Sequence, residues 1–130
     1  MNDPNGTATR FFDAIERASF AEIEEIYSDD VAIWHSNDDQ TQGKVDNLAV
    51  LKRAAGLLRF RYQVLHRSVE GDVVAQHHQL YLTRRDNGAE TMIQAAIFIK
   101  ISNNRITQID EFIEQSAEER ISNLLADPSR

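Results

Sequence analysis

The stretch Val73-Val74-Ala75-Gln76-His77-His78-Gln79-Leu80-Tyr81-Leu82-Thr83-Arg84 decides the fold class. Val74, Gln76, His78, Leu80 and Leu82 fall on one side of it, and Ala75, His77, Gln79, Tyr81 and Thr83 on the other. That period belongs to a strand, because successive Cβ atoms of an extended chain point to opposite faces. Asp86-Asn87-Gly88 follows, and Asn and Gly tolerate the positive φ of a tight hairpin. Thr91–Ile101 is apolar on both faces apart from Gln94 and Lys100, so it reads as a covered strand. Upstream, Leu58, Phe60, Tyr62 and Val64 alternate with Arg59, Arg61 and Gln63; Leu65 breaks the phase and predicts a bulge near Val64–His66. Glu70-Gly71-Asp72 and Ser102-Asn103-Asn104 supply the other turns, and Arg105–Glu114 is the last strand. The result is a four-stranded antiparallel meander.

The chain before the meander reads as helix. After a loose lead-in to about Gly6, Phe11, Phe12, Ile15 and Ala18 recur at helical spacing. Ser19-Phe20-Ala21-Glu22 is a capping-box pattern that predicts a second helix with Phe20, Ile23, Ile26 and Tyr27 inward, ending near Ser28-Asp29-Asp30. Val31, Ile33 and His35 then share one face of a short strand. Ser36 to Lys44 reads as loop, and Val45, Leu48, Leu51 and Ala55 as the inner stripe of a third helix that Gly56 ends. Ser116-Ala117-Glu118-Glu119 predicts a final capped helix with Ile121, Leu124 and Leu125 inward, stopped by Asp127-Pro128. Helices first and strands last predict an α+β fold: a cone-shaped curved antiparallel sheet packed against three N-terminal helices (a cystatin-like roll), with a short C-terminal helix. The open end of such a cone is a natural pocket.

The 130 residues suit one domain, with a core of about 7–116 and a C-terminal helix and tail over 117–130. Fourteen Lys and Arg against 21 Asp and Glu give a net charge of −7, which disfavours nucleic acid as a partner. The absence of cysteine excludes disulfides, thiolate nucleophiles and Cys-based zinc sites, and suits a reducing compartment. No apolar run is long enough to cross a bilayer, and the polar start does not read as a signal peptide. The expectation is a cytoplasmic protein without membrane attachment.

His35, His78 and Glu111 are the polar residues that fall on inward faces otherwise made of Ile, Val and Leu. Glu111 stands between Ile109 and Ile113, while Asp110 and Phe112 point the other way. A carboxylate there is costly unless hydrogen-bonded or protonated, and a histidine is the natural partner. Such a pair in an apolar pocket suits removal of an acidic C–H proton, since both groups can be tuned toward neutrality. Two other readings stay open: the three residues tie strands together with no turnover, or, with His66, they gather round a metal without any local ligand motif. Arg59, Arg61 and Arg67 read as an outer strand face salted against acidic helices, and Glu22, Glu24 and Glu25 as a solvated face.

Residues 10–35, RFFDAIERASFAEIEEIYSDDVAIWH, together with Gly43-Lys44, EGDVVAQHHQL (70–80) and NRITQIDEFIE (104–114), resemble the nuclear transport factor 2-like superfamily, in its SnoaL-like and ketosteroid-isomerase-like branch. The resemblance implies the cone fold, a small-molecule pocket, and a homodimer paired through the outer sheet face of His77, Gln79, Tyr81, Ala96 and Phe98. Where ketosteroid isomerases carry a catalytic Asp, this chain has His35; their oxyanion-donor tyrosine falls on Phe11, and their second oxyanion acid in Ala95–Ile99. The Arg and Asp of limonene epoxide hydrolases fall on His78 and Leu80, and their last-strand acid on Glu111. SnoaL-like cyclases use a His and an acid in the pocket for proton transfer, roles that His78 and Glu111 could serve. The implied function is cofactor-independent and metal-free acid–base catalysis of isomerase, cyclase or dehydratase type on a small apolar substrate, by His35, His78 and Glu111. The implied pocket wall is Phe11, Ile15, Tyr27, Trp34, Tyr62, Gln76, Ile97 and Ile113. The alternative is a non-catalytic ligand-binding or dimerisation module.

Overall fold

A computed structural model describes residues 1–126 of the chain. Among them the order is α1 (Pro4–Glu16), α2 (Phe20–Ile26), β1 (Tyr27–His35), β2 (Gln40–Gln42), α3 (Lys44–Leu57), β3 (Leu58–Glu70), β4 (Val73–Arg84), β5 (Glu90–Ser102), β6 (Arg105–Ile113) and α4 (Ala117–Ala126). The strands form one curved, open sheet in the order β2-β1-β6-β5-β4-β3, with helices on its concave side. The architecture is the expected α+β cone. The proposed stop at Asp127-Pro128 lies outside the described residues.

The meander has the predicted strands and bulge. Val64 pairs with His78 and His66 with His77, so Leu65 is the extra residue of the expected bulge. Asn103 and Asn104 take φ of 53° and 60°, two consecutive left-handed residues that match the twist of the strands they join. β6 has a second neighbour that the alternation does not announce: β1 runs parallel to it and sets His35 directly beside Glu111. The predicted loop contains the short β2, paired with β1 from Ile33–Gln42 to His35–Gln40.

Five local expectations need correction. The second helix ends at Ile26, and Tyr27 to Asp30, expected to close it, already belong to β1. The lead-in is helical from Pro4, because Asp3 caps the helix through Oδ1 (3.0 Å from the Gly6 N–H) and proline suits the first helical position. Ser19 sits at the N-cap of α2 but makes no side-chain cap bond; Glu22 is drawn away to Arg17 (2.6 Å) and Arg10 (3.5 Å). The third helix runs through Gly56 to Leu57. Its inner stripe is rotated from the predicted one: Val45 is exposed, and Asn47 is its most buried residue.

The core has two clusters. One joins Phe11, Phe12 and Ile15 of α1 and Ile23 and Ile26 of α2 to Ile97, Ile99, Ile106 and Ile109 of the sheet. The other places Ala117 and Leu124 of α4 against Leu58, Leu80, Leu82 and Ile93. Phe60 and Tyr62 pack against both. Each fully buried Ile, such as Ile99 or Ile106, contributes about 1.5–3 kcal/mol relative to exposure, which fixes β5 and β6 beneath α1 and α2.

Candidate functional site

A cavity of about 320 Å³ lies between the concave sheet face and helices α1, α3 and α4. Its floor includes Ile97, Ile109 and Ile113; Phe11, Ile15, Tyr27 and Tyr62 line it as expected. The acid–base groups in its wall are His35 and Glu111. Asn47, Phe12, Phe60 and Leu51 also line it, and Leu57, Ile121 and Leu125 bring in the ends of α3 and α4. Asn47 was not foreseen because a helix stripe is sought among apolar residues. Burial of its amide is tolerated because Oδ1 accepts from the Tyr27 hydroxyl (2.7 Å) and Nδ2 donates to Gln42 Oε1 (2.9 Å).

His35, His78 and Glu111 do come together. The parallel pairing of β1 and β6 sets His35 Nε2 3.3 Å from Glu111 Oε1. Across the sheet, His78 Nε2 lies 3.9 Å from Glu111 Oε2. The two rings are not equivalent. The His35 side chain is about one quarter exposed (23%), whereas His78 is fully buried behind the cavity wall, with Phe12 and Tyr62 edge-on to its ring at 5.5 and 5.1 Å.

Two expected wall residues stand elsewhere. Trp34 is on the outer face of β1, edge-on to Phe112 at 5.1 Å, since Val31, Ile33 and His35 take the inward phase. Gln76 is buried beside His78 rather than on the cavity wall, bonded to its Nδ1 at 2.9 Å. Arg67 also departs from its expected place. The bulge inverts the phase of β3, so Arg67 pairs with Gln76 and donates inward to its Oε1 at 2.7 Å. Arg61 lies over the Tyr81 ring at 4.1 Å instead of pairing with an acidic helix. His66 is on the far side of the bulge, and among the described residues no group of three His, Asp or Glu could hold a metal ion.

A profile of the SnoaL-like domain matches residues 8–109. The chain belongs to the SnoaL-like domain family. With it comes membership of the nuclear transport factor 2-like superfamily, in agreement with solved structures of the same fold. One is a LEH-like epoxide hydrolase from M. tuberculosis, 15% identical, with 92% of this chain and 86% of that one covered and a TM-score of 0.75. Another is a candidate SnoaL-like polyketide cyclase from Shewanella putrefaciens, 17% identical over 97% and 98% of the chains, with a TM-score of 0.79. A third is a candidate isomerase from Rhodopseudomonas palustris, 20% identical over 89% and 96%, with a TM-score of 0.74. At these identities the likeness concerns the fold. No curated protein matches the sequence. Among the described residues no helix is long and apolar enough to cross a membrane.

In this SnoaL-like pocket one carboxylate pulls two histidines the same way, and burial decides the opposite net results. The hydrogen bond that His35 Nε2 donates to Glu111 raises the His35 pKa above 6.5 against the opposing effect of burial. At His78 burial dominates and lowers the pKa below 6.5, although the Glu111 charge pulls it up. Burial first, and then the Glu111 charge, push the phenols of Tyr27 and Tyr62 well up, so both stay neutral. His35 adds stability that is complete below its unfolded pKa near 6.5 and lost as pH rises through its raised folded value. His78 does the reverse, favouring the fold above 6.5 and disfavouring it as pH falls through its depressed value. A ¹⁵N-histidine NMR titration is expected to give a midpoint above 6.5 for His35 and below 6.5 for His78. The opposite order would contradict this electrostatic arrangement.

Proposed function

We propose that the cavity binds a small, largely apolar molecule with an acidic C–H group, and that Glu111 and His35 move its proton without a cofactor. The observation that carries this reading is a His–Glu pair at 3.3 Å in the wall of an otherwise largely apolar cavity. The volume sits at the small end of the range of about 300–1,000 Å³ usual for ligand pockets. Glu111 as carboxylate takes the proton from carbon. The C–H electron pair moves toward the neighbouring carbonyl, and the His35 imidazolium gives its proton to that oxygen, leaving a neutral enol, a protonated Glu111 and a neutral His35. Return of the carboxyl proton to a different carbon, with the enol O–H proton handed back to His35, completes an isomerisation; if a β-hydroxyl takes the carboxyl proton and leaves as water while His35 recovers the enol proton, the result is a dehydration.

The same reading includes a second copy of the chain on the outer sheet face. Trp34, Phe98 and Phe112 form an edge-to-face cluster there, and Phe98 and Phe112 are close to half exposed (44% and 47%). It also includes a reducing, cytoplasmic setting, which the absence of cysteine suits.

Titration of the Ile-methyl-labelled chain with 2-tetralone, a bicyclic ketone with acidic C–H bonds, tests binding. Saturable shifts are expected at Ile15, Ile33, Ile97, Ile109 and Ile113. No shift, or shifts confined to Ile101 and Ile106 outside the cavity, would contradict a binding cavity. The rotational correlation time of the same sample should be that of a dimer; a monomer value would remove the second copy.

A further inference from the structure

The buried side of the site contains a chain of donors and acceptors whose directions are fixed at one end. Arg67 has only donors, and its Nη1 gives hydrogen bonds to Thr9 Oγ1 (2.7 Å) and Asn5 Oδ1 (3.2 Å) on α1. Its Nε donates at 2.7 Å to the Gln76 side chain, so the atom facing Arg67 must be the amide oxygen. The Gln76 NH₂ is thereby turned to His78 Nδ1 at 2.9 Å. An amide NH₂ can only donate, so Nδ1 must accept, and the single proton of the neutral ring is left on Nε2. That Nε2 is buried with no hydrogen-bond partner, and Glu111 Oε2 stands 3.9 Å away, just beyond hydrogen-bonding range. A buried unpaired donor is costly to the fold, so a group aimed in this way calls for a role.

We infer that Arg67 and Gln76 are positioning residues that lock His78 as its neutral Nε2–H tautomer, holding one directed N–H in reserve for Glu111 Oε2. The inference rests on the reading of Glu111 as the base. While Glu111 is bound to His35, the N–H is idle. When a ligand draws the His35 proton away, a shift of about an ångström brings Oε2 within the usual donor–acceptor distance of about 3 Å. The carboxylate then keeps a partner while Oε1 is free to take the carbon-bound proton. Protonation of Nδ1 would put an N–H against the Gln76 NH₂, so the lock also opposes a charged His78. The groups facing that ring are Glu111 from β6, Gln76 and His77 on its own strand, Arg67 through Gln76 from β3, and the rings of Phe12 and Tyr62. His78, foreseen as catalytic, is on this account a positioning residue too, acting through Glu111.

Long-range ¹H–¹⁵N correlation of the ¹⁵N-histidine-labelled full chain at pH 8 reads the tautomer directly. His78 should show an unprotonated Nδ1 and a protonated Nε2. In Gln76→Glu the side chain can only accept as a carboxylate, from Arg67 and from the ring, so His78 should acquire a proton on Nδ1. Arg67→Met releases the amide and should give a mixture of tautomers. A wild-type His78 protonated on Nδ1 overturns the lock without reference to the variants, even if one of them fails to fold. An unchanged pattern in folded Gln76→Glu overturns it as well. For the positioning role, Gln76→Glu should lower kcat for deuterium exchange of 2-tetralone about tenfold or more at unchanged KM; an unchanged kcat overturns that role. Absence of exchange in the wild-type chain would instead count against the proposed function, while the tautomer result would stand on its own.

Discussion

Glu111→Gln is expected to slow proton exchange on a carbon acid bound in the cavity by about 10²–10⁴-fold, the usual contribution of a positioned base. The amide has the shape of the carboxylate and none of its basicity. It also removes the main influence holding the His35 pKa up, so the imidazolium acid is depleted together with the base. Stability should change little. The His35 and Glu111 side chains are 23% and 19% exposed and the amide can still pair with the ring, so the loss should be about 1 kcal/mol or less, equivalent to a few degrees in Tm. Rates of deuterium incorporation set beside thermal melts check both halves. A variant that unfolds, or one that retains full exchange, would make Glu111 a strap between strands.

Phe12→Ala is expected to cost about 3–5 kcal/mol, the range for removing a large aromatic from a core. Phe12 is 6% exposed and stands where three aromatic contacts meet: Phe11 at 5.2 Å, Tyr62 at 4.9 Å and His78 at 5.5 Å. Its ring lines the cavity and packs edge-on against the buried His78, and the Arg67 guanidinium lies 6.0 Å from its centroid. Truncation should therefore also admit water to His78 and bring its titration back toward 6.5. Urea unfolding of the two chains checks the first effect and histidine NMR the second. A loss under about 1 kcal/mol with an unmoved His78 would contradict this account of the wall.

The sheet was legible in the sequence because alternation carries both the element and its inner face. Val74, Gln76, His78, Leu80 and Leu82 face inward as their spacing says, and Leu65 is the bulge. The consequences of the bulge were harder to see. One inserted residue reverses the phase of everything after it, which turned Arg67 from an expected surface cation into the anchor of a buried chain. Partner choice was also hidden. His35 and Glu111 are 76 positions apart, and their contact depends on a parallel β1–β6 pairing that neither strand's own pattern specifies. The sequence nevertheless marked both residues as polar groups on apolar faces. The stripe of α3 was misplaced because the residue that buries deepest there, Asn47, is polar and is satisfied only by tertiary partners.

The central claim is that a carbon acid loses its proton to Glu111 inside the cavity. The most direct measurement is ¹H NMR of 2-tetralone in D₂O with the wild-type chain, His35→Ala and Glu111→Gln. The account predicts saturable loss of the C–H signals next to the carbonyl with the wild type, falling at least 100-fold in Glu111→Gln and markedly in His35→Ala. Exchange at the buffer rate while 2-tetralone occupies the cavity would contradict it.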